Sequence, residues 1–337
     1  MKGLARTVSM LVFATHIICA VTATDTERTR PIGKTFHVKS DATELVVNVR
    51  GRDAAKPLLL YLHGGPGDAN GPLVFQAYAG PELEKHFVVA YLHQRHTCLS
   101  PAAPPDTLTL GHWVADVDHT VRFLKGKFGK RKVLLVGHSF GGALGLLYLL
   151  EHPGNIEKFV CAGGAFSTAA IENNGYRTVL AMAEKAGDQD AVKRLTSVGP
   201  PPYRTFMEGL VWRMVGMRLL AESGEGIDRH LDLSRVVAIT GVEKIDPAWM
   251  NRSLVIAQTM WKELGTVNLE DRVRDIDVPM LLITGAKDIM VPFRILKRGY
   301  ENYGGPKDHI ALEHSNHMMF VDEPERFVSA VIEFLQK

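Results

Sequence analysis

A chain of 337 residues, 46% of them hydrophobic, can bury a large core as one elaborated α/β domain or as a domain plus an insertion. The formal charge of +2 falls toward neutral once Lys2 and Arg6 are set aside with the leader, which excludes the electrostatic footprint of a nucleic-acid or acidic-surface binder. Three cysteines, with no C-x-x-C or clustered His/Cys spacing, exclude a disulfide framework and a zinc site.

In chain order, Lys2 and Arg6 precede an apolar stretch from Met10 to Ala20, and Val21-Thr22-Ala23 supplies small residues for cleavage before Thr24. Residues 1–23 therefore read as a signal peptide. Their apolar core is too short for a comfortable membrane span. His16 weakens insertion, and Cys19 lacks the small preceding residue of a lipoprotein site. Export to the periplasm or the medium is expected, without stable membrane association afterwards; the alternative is an uncleaved N-terminal anchor. Cys98 and Cys161 would remain, and an oxidising compartment would allow one disulfide. The expectation is two separate thiols in a partly buried core.

Residues 24–34 read as a linker. Phe36–Lys39 and Glu44–Arg50 alternate as two half-exposed strands would, turning at Ser40-Asp41. The continuous apolar runs Pro57–Leu62 and Phe87–Leu92 suit parallel strands covered on both faces. Thr109–Phe128 has helical spacing through Trp113, Val117, Val121 and Leu124. A strand at Lys132–Val136, a helix after Phe140 and a strand at Glu157–Ala162 follow. From about Phe166 the strand signal gives way to helix-length patterns, broken at Gly199-Pro200-Pro201-Pro202 and Gly224-Glu225-Gly226. Strands resume at Val278–Thr284 and His309–Glu313, with helices at Arg294–Tyr303 and Pro324–Leu335. This order predicts an α/β fold, a doubly wound sheet formed by residues 35–165 and 276–337, with a helical cap over 166–275.

The chemistry centres on Gly137-His138-Ser139-Phe140-Gly141. A G-x-S-x-G between a strand and a helix is a nucleophile elbow, which lifts the serine hydroxyl above the sheet. That hydroxyl needs a base, and the base an orienting acid, in the chain order Ser, Asp or Glu, His. Asp288, in the turn after the strand that ends at Thr284, is the candidate acid. His314 and His317 both follow the last strand; His317 is preferred because it lies further into the loop, where it can reach back to Ser139. The oxyanion needs two backbone donors. Phe140 supplies one, and Gly65, in the His63-Gly64-Gly65-Pro66-Gly67 loop after the third strand, supplies the other.

The H-G-G-P-G loop, the elbow, Asp288 and the run His317-Met318-Met319-Phe320-Val321-Asp322-Glu323-Pro324-Glu325-Arg326-Phe327 together resemble the α/β-hydrolases of the proline iminopeptidase type. The likeness covers nearly everything after about residue 40 and implies an eight-stranded, mostly parallel sheet. Two departures stand out. Where the family has D-Q-R-G-x-G-x-S, this chain reads His93-Gln94-Arg95-His96-Thr97-Cys98-Leu99-Ser100, and the loss of both glycines is expected to reshape that loop. Phe140 stands where those peptidases commonly carry tryptophan.

The resemblance implies that a free α-amine would be held by carboxylates of the cap, for which Glu208, Glu222 and Glu225 are candidates, though helix glutamates are ordinarily solvated. Trp212, with Phe206, Met214, Met217, Met260 and Trp261, could line an apolar acyl pocket or form the core of the cap. The expected function is a serine hydrolase that cleaves an amide or ester of a small molecule or short peptide through an acyl-enzyme, most like a proline iminopeptidase. A carboxylic-ester hydrolase is the alternative. The rival of another class is a small-molecule receptor on the same fold, motivated by the altered loop. No cofactor, metal or nucleic acid is expected. Epoxide hydrolase chemistry is disfavoured, because it needs an aspartate at Ser139.

Overall fold

The computed structural model describes residues 31–242 and 246–337; the expected signal peptide and most of the linker lie outside the described residues. Among the described residues there are eight strands: β1 (Ile32–Ser40), β2 (Thr43–Gly51), β3 (Leu58–Leu62), β4 (Val88–His93), β5 (Val133–His138), β6 (Ile156–Ala162), β7 (Met280–Gly285) and β8 (Lys307–Leu312). They form one sheet in the order β1-β2-β4-β3-β5-β6-β7-β8. β1 and β2 make an antiparallel hairpin, β2 also runs antiparallel to β4, and β3 to β8 are parallel. β1 takes in Ile32–Lys34, which read as linker in the sequence; pairing of Ile32 with Gly51 recruits them through backbone hydrogen bonds rather than through apolar alternation.

The apolar runs are covered on both faces, as their composition requires. Leu58, Leu60 and Leu62 of β3 pack in one core with Trp113, Val117, Val121 and Leu144. The alternate residues Leu59 and Tyr61 pack in a second core with Phe75, Leu83, Phe320, Phe327 and Val331. β2 follows this pattern and is largely buried, not half exposed. Two helices between β3 and β4, Gly71–Tyr78 and Gly80–His86, escape a reading of periodicity. Each opens on Gly-Pro, which looks like a break but serves as a helix start, since proline fits the first turn.

Strand order reverses at β3, with β4 on one side and β5 on the other. The crevice at the carboxyl ends of such strands is where open α/β sheets bind ligands. Between β6 and β7 the described chain is helical: Thr168–Ala186, Gln189–Val198, Phe206–Glu222, Leu233–Thr240 and Pro247–Leu264. The breaks at 199–205 and 223–232 fall where the proline and glycine runs stand. These helices keep a small core of their own, with Val179, Leu195, Trp212 and Val215. No helix among the described residues is long and apolar enough to cross a membrane.

One buried ion pair ties the sheet to the helix Leu110–Phe128. Arg95 Nε and Nη2 donate to Asp116 Oδ2 and Oδ1 at 2.7 and 2.6 Å, with both side chains almost fully enclosed. Removing one partner strands a buried charge. We expect Arg95→Ala to lower stability by about 3–5 kcal/mol in urea unfolding. A loss below about 1 kcal/mol would show that water reaches Asp116.

Candidate active site

The turn at the end of β5 is made by close contact. Ser139 has φ 54° and ψ −120°, outside the regions that most side chains occupy. A Cβ on Gly137 would lie 2.3 Å from the Gly141 carbonyl oxygen, and one on Gly141 would lie 2.1 Å from that of Leu62. Only glycine fits at either position. The backbone thus turns from strand into the helix Phe140–Glu151 with Ser139 at its apex.

The serine lies in line with two residues from distant loops. Ser139 Oγ is 2.9 Å from His317 Nε2, and His317 Nδ1 is 2.7 Å from Asp288 Oδ2. Asp288 lies just past β7, where its Oδ1 accepts the amides of Met290 and Val291 at 2.7 and 2.9 Å. His317 lies five residues past β8; its own amide donates to Asn316 Oδ1, and its carbonyl accepts from His138 Nε2 at 2.9 Å. His314 is exposed and held elsewhere, its amide on Glu323 and its carbonyl on Arg229. Gly65 and Phe140 border the same cavity as Ser139. The Phe140 amide opens a helix and has no acceptor within it. At Gly65, φ is +121° and a Cβ would meet the Gly67 nitrogen at 2.3 Å, so the backbone is bare where substrate would pass.

Electrostatics separate the titrating groups. Burial by itself would lower His317, but the Asp288 carboxylate that accepts its Nδ1–H, with help from Asp68, outweighs burial and raises it. For Asp288, burial works upward, while the charge and hydrogen bond of His317 and the two amides bring it below its ordinary value. His138 is held at about 3 by burial and then by the charge of His317, so it stays neutral and donates from Nε2. A base must be unprotonated to act, so with His317 as the expected base, activity should rise as pH climbs through its pKa. We expect the acid limb of kcat/KM to have its midpoint above the ordinary histidine value of 6.5. A midpoint below 6.5 in a pH–rate profile would show that burial wins over the carboxylates.

The cavity in front of Ser139 has a volume of about 540 Å³. Its wall is largely apolar, with Leu147, Ile171, Phe206, Met217 and Trp261 among its residues. Charge enters through Asp68 and through the pair Glu172–Arg213. Among the described residues, no group of three or more His, Cys, Asp and Glu side chains could hold a metal ion.

The sequence profile described as the alpha/beta hydrolase family matches residues 59–330. The chain belongs to the alpha/beta hydrolase family. It is 27% identical to the probable aminopeptidase YbaC of Bacillus subtilis (strain 168), over 86% of this chain and 92% of that protein. Among solved structures, the proline iminopeptidase of Mycobacterium smegmatis is similar at TM-score 0.66 and 19% identity, covering 90% of this chain and 98% of that one. The esterase EaEST of Exiguobacterium antarcticum is similar at TM-score 0.60 and 21% identity, covering 91% and 100%.

In this alpha/beta hydrolase the three glutamate candidates from the sequence, and Trp212, lie away from the cavity. Glu208 caps its own helix, accepting the amides of Arg204 and Thr205 at 2.7 and 3.3 Å. Glu222 pairs with Arg218, and Glu225 with Lys287. Trp212 is buried among the inserted helices, its Nε1 donating to Glu172 at 2.8 Å. Met214 is exposed and Met260 fully buried, whereas Phe206, Met217 and Trp261 do reach the cavity. The charged residues missed are Asp68, Glu172 and Arg213. Glu172 was legible as the one charge on the buried stripe Glu172, Gly175, Val179, Ala183 of its helix. Asp68 directly follows the H-G-G-P-G loop.

The loop expected to be reshaped places two non-glycine residues in the left-handed region that glycine ordinarily serves. His96 has φ 64° and Cys98 φ 46°, and both side chains are buried. Non-glycine residues in that region cost of order 1–3 kcal/mol each. The surroundings hold them in place: His96 Nδ1 accepts the Ala103 amide at 2.9 Å, and Arg252 donates to the carbonyls of Cys98 and Ser100 at 2.6 Å each. His93, in place of the acid, accepts from Asn48 Nδ2 at 3.0 Å and is kept neutral by burial. Cys98 and Cys161 are both free and buried, more deeply than the sequence suggests.

Proposed function

We propose that this hydrolase cleaves an amide at the free N-terminus of a short peptide, through an acyl-enzyme on Ser139. The observation that carries this reading is the unbroken relay Ser139–His317–Asp288 at 2.9 and 2.7 Å, opening on the 540 Å³ cavity. Ser139 Oγ attacks the carbonyl carbon while its proton passes to His317 Nε2, and Asp288 stabilises the imidazolium. The oxyanion is bound by the amides of Phe140 and Gly65. Collapse of the tetrahedral intermediate breaks the C–N bond, and the imidazolium proton leaves with the amine. Water, deprotonated by His317, then hydrolyses the ester and restores Ser139. The inserted helices act as a cap that selects the substrate. The aminopeptidase name of the Bacillus subtilis relative supports the amide reading.

A carboxylic-ester hydrolase is the second reading, favoured by the apolar wall and by neutralisation of Glu172 by Arg213. Steady-state hydrolysis of prolyl p-nitroanilide beside p-nitrophenyl acyl esters separates the two. Anilide turnover that disappears on N-acylation supports the aminopeptidase; ester turnover alone supports the esterase. The receptor reading would move ahead if neither substrate class turned over above the Ser139→Ala variant. Export is likewise our proposal: N-terminal sequencing of the secreted protein should begin at Thr24, and an intact Met1 in a membrane fraction would favour the anchor.

A further inference from the structure

A second, smaller cavity of about 140 Å³ also borders Ser139 and His317. Its wall holds three polar side chains that acyl transfer leaves unused: His138, which is spent on the His317 carbonyl, and Tyr61 and Asp68. Tyr61 belongs to β3, its ring stacked on Phe75 with centroids 3.6 Å apart. The side chain is 0% exposed, and its hydroxyl has no hydrogen-bond partner among the described residues. Leaving such a group unpaired is costly, and buried hydroxyls are nearly always satisfied. Asp68 uses Oδ1 within its own loop, accepting the amides of Asn70 and Gly71 at 3.1 Å each. Its Oδ2 makes no such bond, and no cation among the described residues pairs with it. The other carboxylate at the large cavity, Glu172, is already matched by Arg213.

We infer that Asp68 and Tyr61 form a subsite for the substrate's protonated primary or secondary amine, carried by the sheet rather than by the inserted helices. The inference rests on the aminopeptidase reading and names how its substrate is recognised. Asp68 Oδ2 supplies a counter-charge and an acceptor, and the Tyr61 oxygen accepts a second N–H. In an N-terminal residue the amine nitrogen is two bonds from the carbonyl carbon that Ser139 attacks. Its counter-charge must therefore stand beside the nucleophile, where Glu208, Glu222 and Glu225 do not. The space is about that of four or five waters at ~30 Å³ each, enough for a small amine-bearing group and too little for a peptide. The charge of Asp68 already reaches His317 across this gap.

The test is titration calorimetry on Ser139→Ala, which binds without reacting, using L-prolinamide and N-acetyl-L-prolinamide. The free amine should bind at least tenfold tighter, and adding Asp68→Asn should abolish that preference. Asparagine keeps the Oδ1 acceptor, so an unchanged Tm shows that the loop survives. Tyr61→Phe should reduce the preference several-fold without altering the binding of the acetylated compound. Equal binding of the two amides, or a preference that survives Asp68→Asn, overturns the subsite. Failure of the parent enzyme to cleave prolyl anilides is a separate result: it overturns the aminopeptidase reading, while calorimetry still reports the amine preference.

Discussion

Ser139→Ala should fold as the parent does and lose about 10⁶-fold in kcat, the scale found when a triad nucleophile is removed. Alanine carries the same Cβ as serine, so the unusual backbone at φ 54° is neither relieved nor worsened. What disappears is the one hydroxyl within 2.9 Å of His317 Nε2. No thiol can stand in, because burial pushes Cys161 up to about 12 and Cys98 higher still, leaving both protonated. A residual rate about 10³–10⁴-fold above water is expected to persist, from the oxyanion donors and binding alone. Rates measured on whichever of the anilide or ester the parent turns over, with the melting temperature as a folding control, decide the matter. A loss smaller than tenfold would remove Ser139 from the chemistry and with it the acyl-enzyme.

Asp288→Asn should cost about 10⁴-fold in kcat with little change in fold. The carboxylate accepts three hydrogen bonds, two at Oδ1 from the Met290 and Val291 amides and one at Oδ2 from His317 Nδ1. An asparagine that keeps its oxygen toward the amides turns its NH₂ toward Nδ1. The imidazole then carries its proton on Nε2, the atom that must accept from Ser139. The same change removes the main charge that raises His317, so the acid limb of any remaining activity should move to lower pH. A loss of less than about tenfold, with the limb unmoved, would mean that Asp288 only anchors its loop.

Much of the fold and of the relay is written in local pattern. β3, β4 and β5 show themselves as apolar runs because both faces are covered, and helix 110–128 through the spacing of Trp113, Val117, Val121 and Leu124. Where pattern is weak, elements go unread. The helices at Gly71 and Gly80 begin on residues that usually end one, and of the edge strand β8 only the part from His309 reads as strand, its first residues Lys307 and Asp308 being polar.

The sequence by itself determined the elbow, the order of Ser139, Asp288 and His317, and the glycine loop at Gly65. Each depends on a few adjacent residues whose backbone limits are the same wherever the chain goes. Only the tertiary structure decided which side chains meet in the cavity. Glu172 is neutralised by Arg213, 41 residues away, while Glu208 caps its own helix. Tyr61 and Asp68 share a pocket with His317, which arrives from beyond β8. Whether a carboxylate is free, paired or spent on a cap depends on which partners the folded chain brings within about 3 Å, and residue spacing along a helix does not carry that information.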